Sequence, residues 1–79
     1  MENYKILFEV AQVEQLKQMR ANEHKGRWDD IEGDIVSKGI LHNFEGIKEA
    51  EFSEEVIRRL ANIANFAAMG ILSLKKEEE

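Results

Sequence analysis

Cysteine is absent from this 79-residue chain, which excludes disulfides and, with them, a thiolate zinc site. Proline is absent too. With no Ser/Gly-rich linker and no internal repeat, nothing marks a domain boundary. Residues 1–79 therefore read as a single helical domain whose end, about 75–79, is a frayed charged tail. Positive charge is in deficit, with 11 Lys and Arg against 16 Asp and Glu and a formal net charge of −5. That balance argues against a protein whose main work is gripping nucleic-acid phosphates, because such affinity comes from displacing counterions with Lys and Arg. No apolar run approaches bilayer length, and Met1–Lys5 brings charge too early for a signal peptide. The expectation is a cytoplasmic protein with no membrane partner.

What the chain does have is apolar residues at helical spacing. A hydrophobic fraction of 43% beside 34% charged residues fits a thin helical body with much surface. A chain this short buries only roughly 60% of the surface its unfolded form exposes, so its stability is marginal without an addition. With disulfides excluded, self-association remains, and the expected partner is a second copy of the chain.

The first segment, Tyr4 to Glu23, carries Ile6, Val10, Val13 and Leu16 at helical spacing, flanked by Leu7, Ala11 and Met19. Tyr4 to Phe8 alternatively begins as a short strand, given its aromatic and β-branched content. A break follows over Asn22–Asp30, where Gly26 suits a left-handed cap and Asp29 or Asp30 can accept from the first N–H groups of the next helix. The second segment, Asp30 to Ala50, places Ile31, Val36, Ile40, Phe44 and Ile47 in one arc. Gly33, Gly39 and Gly46 together cost about 3 kcal/mol there, which tertiary packing must supply. Gly39 and Gly46 share a face, which predicts the close approach of a neighbouring backbone.

The third segment opens on Ser53 as N-cap, with Glu54 and Glu55 at the positive end of the helix dipole and Phe52 stapled onto Ile57. Ile57, Leu60, Ala64, Ala67, Ile71 and Leu74 alternate by three and four, Val56 and Ile63 widen the stripe, and the small residues allow tight helix contact. The predicted fold is all-α: a three-helix protomer, antiparallel in its second and third helices, forming an oligomeric helical bundle.

Two stretches carry a resemblance. Asn22-Glu23-His24-Lys25-Gly26-Arg27-Trp28, followed by Asn62-Ile63-Ala64-Asn65-Phe66-Ala67-Ala68-Met69, resembles the MazG-like all-α nucleoside triphosphate pyrophosphohydrolase superfamily, most of all short members with an Asn-x-His-Lys-Gly-Gly-Trp opening and an Asp-Val-Ala-Asn-Phe-Ala-Met-Met ending. Similarity extends ungapped through Val36, Ile40 and Ile47. The resemblance implies two metal-binding stretches, Glu-Glu-x-x-Glu and Glu-x-x-Asp, that hold Mg²⁺ for cleavage between the α and β phosphates. On this chain they fall at His42, Asn43 and Gly46, and at Arg59 and Asn62, none of which is a carboxylate. A hard dication wants charged oxygen ligands, whereas Arg59 opposes it and Asn offers only dipoles.

This substitution predicts a non-catalytic relative, an oligomeric scaffold or interaction module without cofactor. The alternative is a Mg-dependent pyrophosphohydrolase using displaced acids such as Glu45, Glu49, Glu54 and Glu55, or ligands from a neighbouring subunit. His42 is a further metal candidate with Asn43, against its reading as an ordinary surface histidine. A third reading is a nucleotide-binding regulatory module: His24, Lys25 and Arg27, with Arg20 nearby, offer cations for phosphates and Trp28 an aromatic face for a base. The bland reading of the same residues is a core tryptophan among solvated cations. No Gly-rich phosphate loop or nucleophile elbow is present, and Ser37 and Ser73 read as ordinary helical positions.

Overall fold

In the computed structural model, the residues described are 2–23, 28 and 31–78. They form α1 (Glu2–Asn22), α2 (Gly33–Glu49) and α3 (Ser53–Glu78), with no strand among them, so the chain is all-α. Tyr4–Phe8 belongs to α1 and is helical, not extended. The charged tail expected to fray is helical as far as Glu78. Lys75 and Lys76 lie in the last turn, where they offset the negative end of the dipole, and Lys75 Nζ meets Glu78 Oε2 at 3.8 Å.

α2 starts three residues later than the sequence pattern suggests. Glu32 is extended, with φ −71° and ψ 148°, and its carbonyl accepts from the N–H groups of Ile35 and Val36 at 3.1 and 3.2 Å. Ile31 therefore precedes the helix, and Gly33 sits in its first turn, where a glycine costs little. The interior glycine load of α2 is Gly39 and Gly46, about 2 kcal/mol. Asp29 and Asp30, expected as caps, and Gly26 lie outside the described residues. At the other end Ala50 returns to extended backbone, its N–H donating to the Ile47 carbonyl at 3.2 Å, and two further residues carry the chain to α3.

At that start the carbonyl of Phe52 accepts from Glu55 and Val56. Ser53 is thus the first helical residue and not the cap. Phe52, expected to staple onto Ile57, is 72% exposed, and Ile57 is 45% exposed.

α2 and α3 run antiparallel: Val36 meets Gly70, Gly39 meets Phe66, Asn43 meets Asn62, and Gly46 meets Arg59. What approaches the two α2 glycines is side chain, not backbone. A Cβ on Gly39 would fall 2.5 Å from the Phe66 ring, and one on Gly46 would fall 2.5 Å from Arg59 Nε. α1 packs on α3 as well, and among the described residues α1 and α2 do not pack on each other. α3 is the central element.

The faces used differ from the apolar stripes. On α1 the half-buried positions are Ala11, Glu14, Gln15, Gln18, Met19 and Asn22, while Ile6, Val10, Val13 and Leu16 are exposed. On α3 the buried residues are Ala61 and Asn65, and Ile57, Leu60, Ile71 and Leu74 are exposed. On α2 Val36, Ile40 and Ile47 are half-buried, but Phe44 is exposed beneath Lys48, whose Nζ lies 4.9 Å from the ring centroid. Ala61, at 6% exposure, is the one buried apolar residue among the described residues.

The reason for the inversion on α1 is chemical. Asn65 is only 7% exposed, and a buried amide must find partners. It donates to the Gln15 carbonyl at 3.0 Å and accepts from Gln15 Nε2 at 3.2 Å. The Gln15 side chain belongs to the polar side of α1, and the pair is made with that side turned inward.

Candidate functional site

A cleft of about 1030 Å³ opens between the end of α1, the segment before α2, and the antiparallel pair. Met19 and Asn22 line it from α1, Glu23, Trp28, Ile31 and Glu32 from the connection, Ile35, Gly39, His42 and Asn43 from α2, and Arg58, Arg59, Asn62, Asn65, Phe66 and Met69 from α3. Its apolar wall is Phe66, Met69 and the two isoleucines. Its polar wall is mainly amide and guanidinium.

The positions that the resemblance assigns to metal ligands come together here. Asn43 is 4% exposed. Its Oδ1 accepts from Arg59 Nη1 and from Asn62 Nδ2, both at 3.3 Å, and its Nδ2 donates to the Gly39 carbonyl at 2.8 Å. Gly46 supplies the space into which the Arg59 side chain lies. His42 lines the cleft without joining this network and is exposed. The guanidinium of Arg59 also donates through Nε to Glu55 Oε1 at 3.2 Å, and Glu55 bonds Arg58 through its other oxygen. The hydrogen bond from Arg58 is the largest cause holding the Glu55 carboxyl below the ordinary glutamate range; desolvation opposes it, and the Arg59 hydrogen bond and the charges of both guanidinium groups add smaller downward effects.

This donor set does not fit Mg²⁺. The buried amide oxygen already accepts two N–H bonds, and a cation stands where a carboxylate is required. Among the described residues no three His, Cys, Asp or Glu are placed to hold a metal ion. Of the displaced acids Glu55 reaches the cluster, through its bond to Arg59, whereas Glu45 pairs with Lys48 at 3.6 Å on the outer surface of α2, and neither it nor Glu49 lines the cleft. Glu54 and Glu55 border a second depression, with Phe52, Arg58 and Glu14 and Gln18 of α1.

Of the anion-pocket candidates, His24, Lys25 and Arg27 lie outside the described residues. Trp28 borders the cleft and is 51% exposed, so it is not an anchor of the core. Arg20 is in the last turn of α1 and is not among the lining residues.

Several site residues escape the sequence reading. Arg58 lines the cleft beside Arg59. Ser73, read as an ordinary position, accepts from the N–H of Ile31 at 3.3 Å and ties the connection to α3. The Gln15–Asn65 pair joins two helices. One signal was available: asparagine is a poor residue for a helix interior, and Asn62 and Asn65 stand three apart, on one face of a long helix.

These features define an all-α protein with an amide- and guanidinium-lined cleft beside its central helix. No family model matches the chain, and neither a curated protein nor a solved structure matches it. Among the described residues no helix is long and apolar enough to cross a membrane.

Proposed function

We propose that this chain is a non-catalytic, self-associating helical protein of the cytoplasm, a scaffold or interaction module that resembles the MazG-like pyrophosphohydrolases in its two motifs and lacks their metal chemistry. The observation supporting this reading is the network at the ligand positions: Arg59 and Asn62 both bond the buried Asn43 oxygen. The site satisfies its own polar groups, so no ion is needed to complete it. The test is a hydrolysis screen of purified protein with nucleoside triphosphates and Mg²⁺ or Mn²⁺. No release of pyrophosphate is the expected result. Release that survives the joint replacement Glu45→Gln and Glu49→Gln would overturn the reading, and release that this replacement abolishes would establish the displaced-acid hydrolase instead.

A second reading has its own support. The cleft brings the Trp28 ring to the same cavity as Arg58 and Arg59, an aromatic face and two cations in one space, which suits a nucleotide held without hydrolysis. A fluorescence titration of Trp28, the chain's single tryptophan, with nucleotides decides it. A saturable change supports the regulatory-module reading, and a flat signal over a millimolar range removes it.

A further inference from the structure

The seam formed by Ile57, Leu60, Ala64, Ala67, Ile71 and Leu74 has the three-four spacing of a coiled-coil interface. Its four large residues are between 45% and 63% exposed. Neither α1 nor α2 uses it: α1 meets the face of α3 that carries Asn65, and α2 the face that carries Arg59, Phe66 and Gly70.

The seam is also symmetric in size. Ile57 and Leu74 are equidistant from the midpoint between Asn65 and Phe66, as are Leu60 and Ile71, and Ala64 and Ala67. A two-fold axis through that midpoint, with a second α3 running antiparallel, sets bulky residues against bulky residues at both ends and alanine against alanine at the centre. Small central residues let the backbones approach closely, and an isologous contact requires this self-complementarity.

Charge selects the same direction. Antiparallel pairing brings Glu54, in the first turn, beside Lys75 of the last turn of the other copy, and it opposes the helix dipoles. Parallel pairing would set Glu54 against Glu54 and Lys75 against Lys75 and align the dipoles. Area asks for a partner as well. The accessible surface is 6509 Å², whereas a folded monomer of 9.1 kDa exposes about 4,900 Å². The excess of about 1,600 Å² exceeds the roughly 800 Å² that each partner contributes to a standard interface and suits an obligate homodimer.

We infer that two copies of this chain pair through the outer seam of α3, antiparallel, with Ala64 of each copy against Ala67 of the other. This pairing rests on the self-association in the proposed function and specifies its surface.

Because the chain has no cysteine, engineered thiols report the register directly. Ala64→Cys and Ala67→Cys proteins are made separately, their masses are measured, and each is oxidised alone and as an equimolar mixture. The pairing requires the mass of two chains for each variant and for the parent, with a disulfide dimer that forms in the mixture well above the level in either protein alone. A parent that runs as a single chain at about 100 μM, a concentration at which even micromolar affinity gives dimers, overturns both the pairing and the self-association on which it rests. A dimeric parent whose mixture gains no cross-link overturns the pairing alone. So does a dimer in which Ala64→Cys and Ala67→Cys each link to themselves more fully than they link to each other in the mixture, which is the parallel arrangement. The pairing also falls if Val10→Cys, on the exposed face of α1, cross-links and the α3 mixture does not.

Discussion

Replacing Gly39 by alanine sets two known effects against each other. Alanine is favoured over glycine in a helix interior by about 1 kcal/mol, which would stabilise the variant. The new Cβ would stand 2.5 Å from Cε2 and Cζ of Phe66 and 2.7 Å from Cε1, so the whole tip of the ring must retreat by about 1 Å to regain van der Waals separation. Overpacking of this kind costs typically 1–3 kcal/mol. The net expectation for Gly39→Ala is a loss of between about 0 and 2 kcal/mol. Gly70→Ala provides the control, because its Cβ would lie 3.5 Å from Val36 Cγ1, ordinary contact, and keeps the full gain. The propensity contribution cancels between the two variants, so their difference isolates the clash. Thermal unfolding of both at one protein concentration should place Gly39→Ala at least about 4 °C below Gly70→Ala, given 4–8 °C per kcal/mol for a domain this small. Equal melting temperatures would refute the close approach of Phe66 to α2, and with it the α2–α3 register.

Asn65→Ala removes both hydrogen bonds between α1 and α3 and should lower stability in urea by about 1–3 kcal/mol, at 0.5–1.5 kcal/mol for each bond; an unchanged midpoint would mean the amide pair does not join the helices. The lowered carboxyl of Glu55 stabilises the fold fully above the ordinary glutamate value, and that contribution is lost as the pH falls through the folded-state value. The melting-temperature advantage of the parent over Glu55→Gln should therefore shrink on acidification from about pH 6 to pH 3, and a constant gap would contradict the Arg58–Glu55–Arg59 arrangement. Leu60→Asp should lower the measured mass to one chain or abolish folding while Val10→Asp leaves the mass at two, and the reverse pattern would move the interface to α1.

The three helices were legible because their apolar residues recur at helical spacing and because Ser53-Glu54-Glu55 marks a start. The start of α2 shifted because its stripe does not reach back to Ile31: at 100° per residue Ile31 falls opposite Ile40, and Glu32 is extended before the helix begins. The faces were the least legible. Periodicity shows that the Ile57–Leu74 seam wants burial, but it does not say whether the cover is another helix of the same chain. Within the protomer the contact of α1 with α3 is marked by Asn65 and Gln15, polar residues that hydrophobic spacing ignores. The cluster of Asn43, Arg59 and Asn62 came from the resemblance and from antiparallel pairing, whereas Gln15 and Ser73 carried no local sign of their role.

The chemistry of that cluster leads to a test by gain of function. A dication about 4 Å from the Arg59 guanidinium would meet a repulsion of about 8 kcal/mol at an effective dielectric of 20, of which a single carboxylate at a similar distance returns as much again. Glu55 could therefore cancel the repulsion but leave no surplus to offset dehydration of the ion. Arg59→Glu removes the repulsion and adds a carboxylate, and Asn62→Asp adds another. Positions 55, 59 and 62 are spaced by four and three on α3 and so share one face, which would place three acidic side chains around the Asn43 amide oxygen. The double variant should be stabilised by Mg²⁺, by about 2.7 kcal/mol when the ion is at 100 times its dissociation constant, while the parent melts at the same temperature with and without the ion. The comparison with Ca²⁺ adds a control, since Mg²⁺ demands the tighter octahedral shell. A parent stabilised by Mg²⁺ to the same degree would mean that amide and guanidinium do not keep the ion out. A double variant that folds and stays indifferent to Mg²⁺ would mean that side-chain charge is not what the site lacks.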